Sequence, residues 1–233
     1  MLSLIYGPSK SGKTEYIFKL LKEKAKLKEA TLLFVPEQFS FENERKLLEV
    51  LGNSDAIFAP VLSFSRLCDE IKRIYGGSAG TVIDEGLRLL ILTKTLKSLK
   101  GELKYFKTST ANTVDTVNSV ITEIKHSCIN SEMLLEVSKK APNTVLSDKL
   151  SDLALIISTY NAICVNAYID PIDDLTFAYR KITDNNYFKG KTVIFDGFSS
   201  FSSQQYNIIS AAVCQADRVI VSLCSDGKTD DQY

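Results

Sequence analysis

The sequence predicts an α/β fold: one parallel β-sheet flanked by helices, with an all-helical block inserted into it. Three observations predict it. Strand-like and helix-like patterns alternate over residues 1–80 and again over 189–233, the order that parallel sheets with crossover helices produce. Between them, over 81–188, strand signals fade and helical periodicity takes over. A glycine-bounded loop, Gly7 to Thr14, separates the first strand from the first helix.

The elements follow in order. Residues 2–6 are a short apolar strand. Over 13–28, Ile17, Leu20, Leu21 and Ala25 recur at helical spacing, and Lys19, Lys22, Lys24, Lys26 and Lys28 give a solvated opposite face. Residues 31–35 form a second strand, ended by Pro36. A helix is expected over 40–51, ended by Gly52-Asn53, and a third strand over 56–62. Ser63 caps a helix whose Phe64, Leu67, Ile71 and Ile74 share a face. Gly76, Gly77 and Gly80 then break the chain. The inserted block shows helical patterns at 84–99, 113–127 and 147–168 and no repeat of fixed period. Asn185-Asn186 and Gly190 close it; a strand at 192–196, a helix at 202–215 and a strand at 218–224 follow. The domain reading is therefore a discontinuous sheet domain, 1–80 with 189–233, and a helical subdomain at 81–188. The last eight residues, from Asp226, are polar with no closing element, and we expect a fragment of a longer protein.

Composition narrows the function classes. Lysine plus arginine equals aspartate plus glutamate at 28 each, so this is no globally basic nucleic-acid binder. Five scattered cysteines without a C-x-x-C pair fit small buried side chains in a reducing compartment, the cytoplasm, and no disulfide framework or zinc site. A lone histidine, His126, leaves no His-based metal cluster or triad to assemble. No apolar run reaches the roughly 18 residues of a membrane helix, and the N-terminus has no signal-peptide pattern.

Gly7-Pro8-Ser9-Lys10-Ser11-Gly12-Lys13-Thr14 fits the P-loop pattern G-x-x-x-x-G-K-[ST] at every fixed position. The spacing suits a triphosphate. A tight strand-to-helix loop aims backbone N–H groups at one point, and the helix N-terminus adds partial positive charge there. Lys13 is expected at the β- and γ-phosphates, and the Thr14 hydroxyl on Mg²⁺. The bare pattern arises by chance in roughly one chain of this length per hundred; the apolar strand before it and the amphipathic helix after it make it more specific. ATP and Mg²⁺ are the expected ligands.

Such a site needs a second carboxylate at a neighbouring strand end, to hold the metal through water. Asp196, after Val193-Ile194-Phe195, supplies it at the carboxyl edge of the sheet. The next residue is Gly197, where motor ATPases normally carry the glutamate that positions the attacking water, so weak or absent hydrolysis is expected. Two further strand exits fall on this edge: Pro36-Glu37-Gln38 and Ser63-Phe64-Ser65-Arg66. Gln38 and Arg66 are candidate contacts to nucleotide or to DNA.

Together these segments resemble the N-terminal part of the AddB family, the B subunits of the bacterial ATP-dependent helicase/deoxyribonuclease AddAB. The resemblance rests on the loop near the start, on Val35-Pro36-Glu37-Gln38 with Phe39 and Phe41, on Ser63-Phe64-Ser65-Arg66-Leu67, and on Phe195-Asp196-Gly197-Phe198. It implies the first RecA-like domain of a UvrD-type superfamily 1 helicase, with the helical block as its second subdomain. It further implies an AddA-like helicase–nuclease partner, DNA as substrate of the full complex, and recombinational repair of double-strand breaks. The resemblance also implies that this chain belongs to the degenerate helicase of the pair. The family's nuclease domain and iron–sulfur cluster match nothing in 1–233, nor does the arginine finger of the second RecA-like half. No catalytic residue is assigned here.

Two other readings stay open at this point. A small-molecule or nucleoside kinase also begins with a strand and this loop, but the helical block offers only Arg88 and Arg180 as arginines to cover a transferring phosphoryl group. A non-enzymatic adaptor would carry the loop as a vestige.

Overall fold

The computed structural model describes residues 1–77, 79–165 and 167–225. The polar stretch 226–233 lies outside them. The described chain divides into two compact units: residues 1–76 together with those from Phe177 onward, and residues 77–176.

The first unit is built on a five-stranded, wholly parallel sheet. Strands β1 (Leu2–Gly7), β2 (Thr31–Phe34), β3 (Val61–Leu62), β6 (Thr192–Phe195) and β7 (Arg218–Cys224) stand in the order β1-β7-β6-β2-β3. Between them in sequence come β4 (Thr81–Val82) and β5 (Tyr168–Ile169), which pair only with each other. Helices α1 (Lys13–Lys26) and α2 (Ser40–Leu51) follow β1 and β2. Their Ile17, Phe18, Leu21 and Leu47 join Leu33, Ile194 and Ile220 in one buried cluster. Short α3 (Asn53–Ala56) precedes β3, and α4 (Phe64–Tyr75) follows it. Ser63 caps α4, accepting the Arg66 N–H at 3.2 Å. On the other face Phe34 packs against Phe64, Phe188 and Phe195, with ring centroids 5.7, 6.5 and 4.9 Å apart.

The strand expected over 56–62 is a correction. Residues 53–56 are helical and only Val61–Leu62 remain as strand. Pro60 has no N–H to give the ladder, although its carbonyl still accepts from Leu33 at 3.1 Å.

The second unit holds α5 (Glu85–Ser98), α6 (Ala111–His126), α7 (Ser131–Lys139) and α8 (Thr144–Val165) around its own apolar core. It is not all-helical, which corrects the second expectation. Thr81 and Val82 pair in parallel with Tyr168 and Ile169, zipping the unit's entry and exit together. The last helices, α9 (Asp174–Asn185) and α10 (Ser203–Gln215), complete the chain. Residues of α9 from Phe177 onward belong with the sheet unit.

Two buried carboxylates organise the second unit. Asp152 on α8 accepts the backbone N–H groups of Lys104, Tyr105 and Phe106 at 3.1, 2.7 and 3.0 Å, fixing the loop that leads to α6. Asp170, just past β5, accepts from Arg88 Nη2 at 2.8 Å, Lys125 Nζ at 3.1 Å and the Tyr160 hydroxyl at 2.9 Å. Burial would raise the Asp170 carboxyl; the Lys125 ammonium, Tyr160 and Arg88 outweigh it and hold it below the usual carboxylate value. Burial and the Asp170 charge push the Tyr160 hydroxyl up, so it stays a neutral donor.

Candidate functional site

β1 delivers the chain to the carboxyl edge of the sheet, where Gly7 is paired with Cys224 of β7. The chain turns at once, with the Ser11 N–H donating to Pro8 O at 3.3 Å. Lys10 and Gly12 take positive φ values of 62° and 85°. The Gly7 backbone passes close to Ser11: a Cβ there would stand 2.8 Å from Ser11 Oγ, so the hydroxyl would have to turn away. Helix α1 then starts at Lys13, and its first N–H groups have no intrahelical acceptor.

The Lys13 ammonium folds back over this loop. It donates to Gly7 O at 2.8 Å and Pro8 O at 2.7 Å, with Ser11 Oγ at 3.5 Å. These acceptors are neutral oxygens.

Thr14, one residue on, donates from Oγ1 to Asp196 Oδ2 at 2.9 Å. The two lie 182 residues apart in sequence, and β7 stands between their strands. Asp196 is buried, and its N–H donates to Phe34 O at 2.9 Å, anchoring it to β2. The edge therefore gathers a cation and a helix N-terminus beside a hydroxyl and a buried carboxylate. That set suits a polyanion carrying a hard cation.

Among the described residues, no group of three or more His, Cys, Asp or Glu is placed to hold a metal ion. A hydroxyl and one carboxylate still fit Mg²⁺, which is commonly held by one or two carboxylates together with phosphates and water. Thr14 and Asp196 offer hard oxygens of that kind.

The other predicted residues also fall on this edge, as a wholly parallel sheet requires. Gln38 is exposed in a single 3₁₀ turn, Glu37–Phe39, that leaves β2. Arg66, in the first turn of α4, donates from Nη1 to Glu44 Oε2 at 3.1 Å; both side chains are half exposed. Sequence reasoning missed the packing beneath them. Phe198 lies against Phe64 and Phe201, at 5.6 and 4.8 Å between centroids, so the residues after Asp196 are rooted in the aromatic core. The signal was present as four phenylalanines flanking strand ends, but which rings meet depends on strand order.

Fold and site together define a parallel α/β protein whose sheet edge gathers a glycine loop, a lysine, a threonine and an aspartate. The chain belongs to the AddB N-terminal family, whose model, "ADDB, N-terminal", matches residues 4–233. It is 33% identical over 233 residues to the B subunit of the ATP-dependent helicase/deoxyribonuclease of Clostridium tetani, covering 97% of this chain and 20% of that protein. Proteins of the same name from Clostridium botulinum and Acetivibrio thermocellus are 32% and 34% identical, again over 97% of this chain and 20% of theirs. The chain thus spans about a fifth of the length of these curated relatives. Among the described residues, no helix is long and apolar enough to cross a membrane.

Proposed function

We propose that this chain is the nucleotide-binding N-terminal part of a DNA-repair helicase–nuclease subunit, acting in the cytoplasm. The sheet unit is then a RecA-like P-loop domain of the superfamily 1 type, and residues 77–176 its insertion. The observation that carries this reading is the Thr14–Asp196 hydrogen bond at 2.9 Å beside the Lys13 ammonium. It joins the two halves of a triphosphate site across an intervening strand.

In this reading the loop from Gly7 to Thr14 wraps the phosphates. Lys13 exchanges the carbonyls of Gly7 and Pro8 for phosphate oxygens. Thr14 and Asp196 hold Mg²⁺, which would neutralise phosphate charge when bound. Gln38 and Arg66 would meet DNA or nucleotide along the same edge, Arg66 by exchanging Glu44 for phosphate. The relatives' names support the subunit reading, and they lend no support to a kinase. The partner in this reading is an AddA-like subunit.

Gly197 gives no side chain to position a water, so the chain alone should bind ATP and hydrolyse it poorly. Steady-state ATP hydrolysis by the 233-residue polypeptide, with and without single-stranded DNA, checks this. The expected result is turnover near background in both conditions. A robust, DNA-stimulated ATPase from this polypeptide would sink the proposal of a degenerate motor.

A further inference from the structure

We infer that the exposed face of α1 is a docking surface for the phosphate backbone of a nucleic-acid duplex. It is a contact separate from the sheet edge that gathers Lys13, Thr14 and Asp196, and it needs no nucleotide bound there.

Residues 10–28 carry seven lysines against two glutamates, although the whole chain is neutral. The structure divides the lysines of α1 into two kinds. Lys24 is turned in: its side chain is 17% exposed and meets Glu29 Oε2 at 2.6 Å. Lys19, Lys22 and Lys26 are exposed and clear of the buried Ile17, Phe18, Leu21 and Ala25. Spaced three and four residues apart, they fall within about 60° of arc and about 10 Å of helix. Among the described residues none of the three makes an ion pair. Lys28, exposed just past the helix, adds a fourth charge. Two acids adjoin the stripe. Glu15 has Lys46 of α2 at 3.9 Å, which offsets its charge, and Glu23 stands alone against the three lysines.

The residue types select the partner. Protein–protein interfaces are depleted in lysine and enriched in arginine and aromatic residues. The stretch from Lys19 to Lys28 has neither arginine nor an aromatic side chain. Single strands are held by bases stacked on aromatics beside a basic groove, and that component is missing here. A row of lysine point charges suits duplex phosphates, which need no stacking and no particular sequence. Position separates this surface from the edge carrying Gln38 and Arg66. α1 leaves that edge at Lys13 and runs back toward the start of β2, so Lys26 lies about 20 Å along the helix from Lys13.

The test titrates a short labelled DNA duplex of random sequence with the 233-residue chain, from about 50 to about 200 mM salt. Three proteins are compared: wild type, the triple variant Lys19→Ala, Lys22→Ala, Lys26→Ala, and the triple variant with arginine at the same positions. Alanine favours helix, so the melting temperature should hold in both variants. The alanine variant should bind about tenfold or more weakly at the lowest salt. Its plot of log affinity against log salt should be shallower by about 2–3. The arginine variant should keep wild-type affinity and slope. A wild-type chain that binds no duplex, or an alanine variant with unchanged affinity and slope, overturns the inference. Poly-glutamate that competes as strongly as unlabelled duplex at equal charge also overturns it, assigning the face to an acidic protein. Loss of binding in Gln38→Ala with Arg66→Ala, beside an unaffected alanine triple, would leave the carboxyl edge as the only contact.

Discussion

Replacing Lys13 with alanine should weaken binding of a non-hydrolysable ATP analogue by about 100-fold or more. The ammonium now donates to Gly7 O and Pro8 O, at 2.8 and 2.7 Å. In the liganded site it would make charge-assisted bonds to phosphate, each worth roughly 1.5–3 kcal/mol. Losing two of these removes at least about 3 kcal/mol, or two decades in affinity. The fold should be little affected, since the lysine's bonds are local to the loop and exposed or half-buried. Calorimetric or fluorescence titration of both proteins decides the matter. Unchanged affinity in Lys13→Ala would mean that the loop is a vestige, as in an adaptor.

The second large effect is expected in the other unit. Asp170→Ala leaves Arg88 and Lys125, with side chains 14% and 8% exposed, without the carboxylate between them. Removing one member of such a buried pair costs about 3–5 kcal/mol. Lys125 keeps Asp173 at 2.7 Å, but that carboxylate is half exposed and compensates only in part. The loss should appear as faster amide hydrogen exchange in α5, α6 and α8.

The same group makes a pH prediction. Its carboxyl titrates lower in the folded chain than its reference value of 3.8. The stabilisation it gives is therefore fully present above about pH 3.8 and is lost as pH falls through the lower folded value. Urea unfolding of the second unit should lose stability in that acid window, and Asp170→Asn should remove this part of the slope. An unchanged acid profile in Asp170→Asn would contradict the account.

Much of the site was legible because it is local. The loop is eight consecutive residues, and Asp196 is marked by the apolar run that ends on it. That Thr14 and Asp196 touch follows from wholly parallel strands ending on one edge, together with the position of β7 between β1 and β6. The parallel sheet follows from the alternation of strands and helices; the strand order does not. The Asp170 cluster was illegible for a different reason. Arg88, Lys125 and Asp170 lie on separate elements, and Lys125 follows Ile121 and Ile124 like any surface lysine at a helix end. Only packing reveals that it turns inward. The pairing of Thr81 with Tyr168 joins residues far apart in sequence through two-residue strands, too short for a periodic signal.

Nucleotide binding at the edge shared by Thr14 and Asp196 is the claim on which the functional reading depends. The most direct test is the affinity of the wild-type chain and of Asp196→Asn for a non-hydrolysable ATP analogue, each with and without Mg²⁺. Mg²⁺ should tighten wild-type binding about tenfold or more, and Asp196→Asn should lose that gain. Wild-type affinity indifferent to Mg²⁺, or a gain that survives in Asp196→Asn, would contradict the assignment of this edge.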